Sequence, residues 1–259
     1  MKAVSELKVK IFGDGADIAS ILDLSEKPFI KGFTTNPTLM SKAGVVNYEA
    51  FALQILQHIS DRPVSFEVLA DDEETMELQA RQIAGWASNV FVKIPVTNTH
   101  REPMCNLIRR LSEDGVQVNV TATMTLEQVR EVALALRSGA PSNVSVFAGR
   151  IADTGRDPVP MMIEALDILR ENEKTELIWA SPRELLNIYQ AEQIGCHVIT
   201  VTDEILRKLN LVGKDLLDFS LDTVKMFHSD GVKSGYTLDQ PTVAVASPTN
   251  GAAKKRAST

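Results

Sequence analysis

The sequence predicts an α/β chain of the (β/α)8 TIM barrel type, with an extra C-terminal helix and a disordered C-terminal tail. Three observations carry that expectation. Eight short apolar runs recur along the chain, and amphipathic stretches of helical length separate most of them. The runs are apolar through their length, as in parallel strands buried on both faces. Eight such units in 259 residues fit a closed barrel, which typically takes about 250 residues. An open doubly wound sheet is the alternative. Its dinucleotide-binding form loses support because no Gly-x-Gly-x-x-Gly turn follows the first run.

Taken in order, the strand-like runs cover 9–13, 29–36, 64–69, 90–96, 117–123, 143–150, 176–180 and 197–202. Between them, Phe51, Ala52, Ile55, Leu56 and Ile59 recur at helical spacing, as do Met76, Ala80, Ile83 and Ala84, and then Leu126, Val129, Ala133 and Leu136. Thr125 with Gln128 reads as a capping box, and so does Ser181-Pro182 with Glu184. Gly139 and Gly195 stand where helices should stop. A last helix is expected over about 214–228, outside the repeat, so the catalytic barrel domain is placed at 1–236. Residues 237–259 are rich in Pro, Ala, Ser, Thr and Gly and read as a disordered tail.

Composition narrows the function. A formal net charge of -7 argues against nucleic acid or an anionic membrane as a bulk partner. A bound phosphate would then need a few placed cations. No apolar run reaches the roughly 20 residues that span a bilayer, and the N-terminus has no signal-peptide core. Cys105 and Cys196 are the only cysteines and lie far apart. A cytoplasmic, reduced, disulfide-free protein fits best.

Polar residues gather late in the runs, where a barrel carries its active site. Asp14 follows the first, Thr34, Thr35 and Asn36 end the second, and Glu67 lies late in the third. Lys93 sits in the fourth, inside Val90-Phe91-Val92-Lys93-Ile94-Pro95-Val96. Burying an unpaired ammonium there costs several kcal/mol, roughly, and a deprotonated amine is a nucleophile towards carbonyls. A strand-end lysine escaping to solvent is the competing reading. Asn119 and Thr121 share one face of the fifth run, as Ser145 and Phe147 do of the sixth. Arg150 follows, and Ser181 and Arg183 come after the seventh. A helix N-terminus with an arginine beside it makes an anion seat.

Each residue also has a plain reading. Asp14 and Asn36 could be turn or cap residues, Glu67 an edge charge, and Thr121 and Ser145 strand residues bonded to backbone. Ser181 reads as a helix cap and Arg150 and Arg183 as solvated loop arginines. Together they make better sense as a polar pocket for a polyhydroxylated ligand. The scattered His58, His100, His197 and His228 offer no metal-ligand spacing, and no Gly-x-Ser-x-Gly elbow or P-loop occurs, so no metal is expected. Asp14-Gly15-Ala16-Asp17 only superficially suggests a phosphatase nucleophile.

Five ordered motifs resemble the transaldolase family of Schiff-base aldolases: Thr34-Thr35-Asn36-Pro37-Thr38, Phe91-Val92-Lys93-Ile94-Pro95-Val96, Asn119-Val120-Thr121, Ser145-Val146-Phe147-Ala148-Gly149-Arg150-Ile151 and Trp179-Ala180-Ser181-Pro182-Arg183. The resemblance runs to about Tyr236. It implies a transaldolase that moves a dihydroxyacetone unit between sugar phosphates, without cofactor or metal. Lys93 would form the Schiff base and Asp14 would act as acid/base at the C4 hydroxyl. Glu67 and Thr121 would hold the proton-relay water, and Asn119 would orient Lys93. Asn36 and Ser145 would bind substrate hydroxyls, while Arg150 and Arg183 would hold the phosphate, with Ser181 beside them. Phe147 and Glu67 resemble transaldolases more than the related fructose-6-phosphate aldolases, which tend to carry Tyr and Gln there. Ile11-Phe12-Gly13-Asp14-Gly15 and Ser181-Pro182-Arg183-Glu184 depart from the usual segments. A homo-oligomer is implied by the resemblance and the extra helix.

Overall fold

A computed structural model describes residues 2–238. Eight strands form a closed, all-parallel barrel in sequence order. They are β1 (Lys10–Asp14), β2 (Ile30–Thr34), β3 (Val64–Glu67), β4 (Val90–Pro95), β5 (Val118–Thr123), β6 (Ser142–Val146), β7 (Thr175–Trp179) and β8 (Val198–Thr202). The helices are α1 (Ile18–Ser25), α2 (Pro37–Lys42), α3 (Tyr48–His58), α4 (Glu73–Ala84), α5 (Cys105–Glu113), α6 (Leu126–Leu136), α7 (Ala148–Ala152), α8 (Val159–Leu169), α9 (Leu186–Gln193), α10 (Asp203–Leu206) and α11 (Leu216–Ser234). The barrel reading therefore holds.

The chain divides into two units, Met1–Val212 and Gly213–Thr259. The first holds the barrel and its surrounding helices. Among the described residues of the second, α11 is the one helix, capped by the Asp215 carboxylate on Leu217 and Asp218 N–H and ended by left-handed Gly235. The expected tail lies, from residue 239 onward, outside the described residues.

Alternation sorts the strand side chains into two sets. Outward residues such as Val64, Phe66, Val92, Val118, Val144, Leu177 and Ile199 pack with Ile55, Met76, Ile83, Leu107, Val129 and Ile188 of the helices. Helices α3, α4, α5, α6 and α9 each bury an apolar stripe, which is why the amphipathic stretches of the sequence come out as barrel helices. The Thr125 capping box forms as expected, with Gln128 reaching back to the Thr125 N–H.

The inward set closes the barrel's axis. Phe12, Ile178, Ala180 and Val198 form a separate buried cluster. Phe12 is opposite Gly32, and a Cβ on Gly32 would stand 2.7 Å from the Phe12 ring. Only glycine leaves room for the ring to lie across the axis. This apolar plug forms the floor on which the polar inward residues are set.

Candidate active site

A cavity of about 530 Å³ opens at the C-terminal ends of the strands, a size suited to a small ligand. Asp14, Asn36, Glu67, Lys93, Thr121, Ser145, Phe147, Arg150, Ser181 and Arg183 all line it. Residues spread over 170 positions of chain thus meet because each ends, or follows, a strand of one parallel barrel.

Lys93 is only 6% exposed and faces the cavity. Its Nζ donates to the Thr35 carbonyl at 2.8 Å and lies 3.1 Å from Glu67 Oε2. The β3–β4 register sets Glu67 directly beside Lys93, so the pair follows from strand alignment. Of the two readings of Lys93, burial with a partner is the one realised.

Asp14 accepts a 2.8 Å hydrogen bond from Thr34 Oγ1, which lies 2.5 Å from Thr200 Oγ1. Burial pushes the Asp14 carboxyl above its ordinary value. The positive charge of Lys93 and the Thr34 hydroxyl pull it back only in part, and Glu67 adds a further small push upward. The cap of α1 is Asp17, so Asp14 is not needed there. Asn36 does cap α2, accepting from Leu39 N–H, while also lining the cavity.

Asn119 is the exception among the expected site residues. It is fully buried beneath the cavity and is not part of its lining. Its Oδ1 accepts from Ser145 Oγ at 2.8 Å and its Nδ2 donates to Ser65 Oγ at 3.1 Å. It stands beside Lys93 in the β4–β5 register. Two residues along β5, on the same face, Thr121 Oγ1 is buried with no protein partner. Ala122 then takes a φ of 61°, where the β5–β6 register shifts. Such a conformation costs a non-glycine residue about 1–2 kcal/mol.

Two local expectations are corrected. The sixth strand does not run to Arg150. It ends at Val146, and the chain coils into α7, which carries Arg150. Strand pairing with β7 stops at Val146–Trp179, so nothing extends the ladder further. The Arg150 guanidinium lies 5.8 Å over the Phe147 ring. The second correction concerns Ser181. It caps no helix: α9 begins at Leu186, and Ser181 has a left-handed φ of 59°. The Asn187 side-chain Oδ1 instead accepts from Arg183 and Glu184 N–H.

Arg183 is therefore in a loop, and the helix-dipole argument for an anion beside it lapses. Its Nε and a terminal nitrogen bind the two Asp153 oxygens at 2.9 and 2.5 Å, and its other terminal nitrogen donates to Ser181 Oγ at 3.0 Å. The hydrogen bonds from Arg183 hold the Asp153 carboxyl below its usual range. Sequence reading missed Asp153, because that pair closes across 30 residues. It also missed Thr200, legible only as a polar residue on the inward parity of β8, and Lys42, which lines the cavity from the end of α2.

The Ser181–Arg183 loop rests on Gly149. A Cβ there would stand 1.6 Å from the Ser181 carbonyl oxygen. Gly149→Ala must displace backbone and should cost about 1–3 kcal/mol. Thermal melting is the readout.

Among the described residues, no group of three or more His, Cys, Asp or Glu side chains is placed to hold a metal ion. No helix among them is long and apolar enough to cross a membrane.

Comparison with known proteins adds the decisive observation. The family model described as Transaldolase/Fructose-6-phosphate aldolase matches residues 11–246.

The chain belongs to the transaldolase/fructose-6-phosphate aldolase family.

It is accordingly an enzyme of the transferase type. It is 37% identical over 202 residues to a protein of Dehalococcoides mccartyi named "Probable transaldolase", covering 78% of this chain and 90% of that one. It is 33% identical over 231 residues to a protein of the same name from a Thermoanaerobacter species, covering 89% of this chain and 100% of the relative. Among solved structures, 2,3-dimethylmalate lyase matches at 14% identity with a TM-score of 0.50, covering 93% of this chain and 89% of that one. That likeness concerns the barrel alone.

Proposed function

We propose that this member of the transaldolase/fructose-6-phosphate aldolase family is a transaldolase working through a Schiff base on Lys93. It transfers a dihydroxyacetone unit from a ketose phosphate, such as sedoheptulose 7-phosphate or fructose 6-phosphate, to an aldose phosphate. The observation that carries this reading is a buried lysine amine 3.1 Å from a carboxylate, in a cavity that also holds a second, separate carboxylate.

The two carboxylates suit different tasks. Glu67 can take a proton from Lys93, freeing the amine to add to the ketose carbonyl. Glu67 and Thr121, whose hydroxyl has no protein partner, hold the water that relays protons as carbinolamine becomes iminium. Asp14, whose carboxylate burial makes a stronger base, takes the proton from the C4 hydroxyl in its ionised form. The C3–C4 electron pair then moves into the iminium, and the aldose leaves. The enamine, still bound to Lys93, attacks the acceptor aldehyde, Asp14 returns the proton to the new hydroxyl, and hydrolysis releases the new ketose.

Asn36 and Ser145 bind the dihydroxyacetone hydroxyls, and Asn119 acts from below through Ser145. Arg150 on its Phe147 platform is the phosphate cation, assisted by Ser181 and by Arg183, whose charge Asp153 shares. The acidic chain, with both cysteines free, fits a reducing compartment such as the cytoplasm, and we place the enzyme there in sugar-phosphate metabolism as a homo-oligomer.

An aldolase releasing free dihydroxyacetone is the alternative within the family. Incubation with fructose 6-phosphate, with and without an aldose phosphate acceptor, separates the two. Transfer product should form with the acceptor, with little free dihydroxyacetone in its absence. Release without acceptor at the transfer rate would overturn the transaldolase assignment. Absence of a borohydride-trapped adduct at Lys93 would overturn the Schiff base for that substrate.

A further inference from the structure

Glu67 ends β3 with an unusual backbone partner. In a parallel strand, successive residues turn their N–H and C=O groups alternately to the two neighbours. Val64 and Val68 donate to Asn89 and Lys93 carbonyls on the β4 side, while Ser65 accepts from Thr35 N–H on the β2 side. Glu67 therefore turns both backbone groups towards β2. The β2–β3 ladder has already ended at Thr34–Ser65, and the chain beyond has left for α2.

One side chain meets both groups. Tyr48, the first residue of α3, accepts from Glu67 N–H at 2.7 Å and donates to the Glu67 carbonyl at 2.8 Å. A single hydroxyl thus replaces the missing strand. The ring is held edge-on by Phe66 and Trp86, with centroids 6.3 and 5.7 Å away. Burial raises the phenol further above neutral pH, so its proton stays available to the carbonyl. Glu67 has no other backbone tie on that side, and its carboxylate is the one that meets Lys93.

We propose that Tyr48 is a positioning residue for the reaction, setting the Glu67 carboxylate against the Lys93 amine through the Glu67 backbone. The inference rests on the Schiff-base reading above. Tyr48 touches no reacting atom. A displacement of about 1 Å at a reacting group can cost on the order of 100-fold in rate, and loss of the hydroxyl leaves the end of β3 free to move by that scale.

The test is the rate of borohydride-trapped adduct formation at Lys93 with fructose 6-phosphate, in the full-length chain. Tyr48→Phe keeps the ring and should slow trapping about 10- to 100-fold, with a smaller change in KM. Trp86→Phe disturbs the same ring cluster, and removes a buried N–H that has no partner, but spares the hydroxyl. It should trap at the parent rate. In a Glu67→Gln background, Tyr48→Phe should add less than about a twofold change, because both act through one carboxylate.

Full additivity of Tyr48→Phe with Glu67→Gln would overturn the proposal. So would equal slowing by Trp86→Phe, or a Tyr48→Phe chain that traps at the parent rate or fails to fold. If the parent enzyme forms no adduct, the Schiff-base reading itself fails, and that result is distinct from all of these.

Discussion

Lys93→Met is expected to abolish the trapped adduct and to lower dihydroxyacetone transfer by at least about 10⁴-fold, the scale of losing a covalent nucleophile. Methionine matches the length and apolar stem of lysine, so the barrel should stay folded. The substitution leaves the Glu67 carboxylate without its partner in a partly buried site. Losing one member of a fully buried pair costs about 3–5 kcal/mol. The Glu67 side chain is 18% exposed and opens onto the cavity, so the loss here should be smaller. Melting temperature and trapping together separate a dead enzyme from an unfolded one. A folded Lys93→Met chain that still transfers dihydroxyacetone at the parent rate would sink the covalent mechanism.

Asp14→Asn should divide the reaction differently. Lys93 and Glu67 remain, so fructose 6-phosphate should still be trapped on Lys93. Cleavage needs a base at the C4 hydroxyl, and turnover should fall about 10²- to 10⁴-fold. Stability should move the opposite way. Burial raises the folded-state carboxyl above its ordinary value of 3.8. The folded chain therefore binds this proton more tightly than the unfolded chain does. Asp14's contribution to stability falls as pH rises from its ordinary value of 3.8, and the penalty is complete only above the folded-state value. Asparagine removes that charge. Asp14→Asn should melt higher than the parent at pH 7, and the advantage should disappear below pH 3.8. Equal melting at both pH values would mean that burial does not strain this carboxylate, and would weaken its assignment as the acid/base.

The two variants make a matched pair. One removes the attachment point, the other the step after attachment, and the adduct is the observable that tells them apart.

What the sequence determined by itself was whatever depends on short-range repetition. Apolar runs spaced by amphipathic stretches specify the barrel, since each strand and helix must bury its own face. The late position of Asp14, Glu67, Lys93, Thr121 and Ser145 within those runs places them at one rim. Alternation by two then selects the inward face. Those rules act over a few residues, so they are visible in a linear string.

What only the tertiary structure decided were contacts between backbones that no local rule relates. Asp153 meets Arg183 because α7 and the loop after β7 are brought together over Gly149. Ser181 leaves its expected cap because the chain there adopts a left-handed turn before α9 begins. Thr200 joins Asp14 through Thr34 because β8 closes on β1. Tyr48 reaches Glu67 because β2 ends early and leaves two backbone groups to be met. In each case the deciding fact is barrel closure and strand register, and the hydrogen bonds that follow join residues from 19 to 166 positions apart.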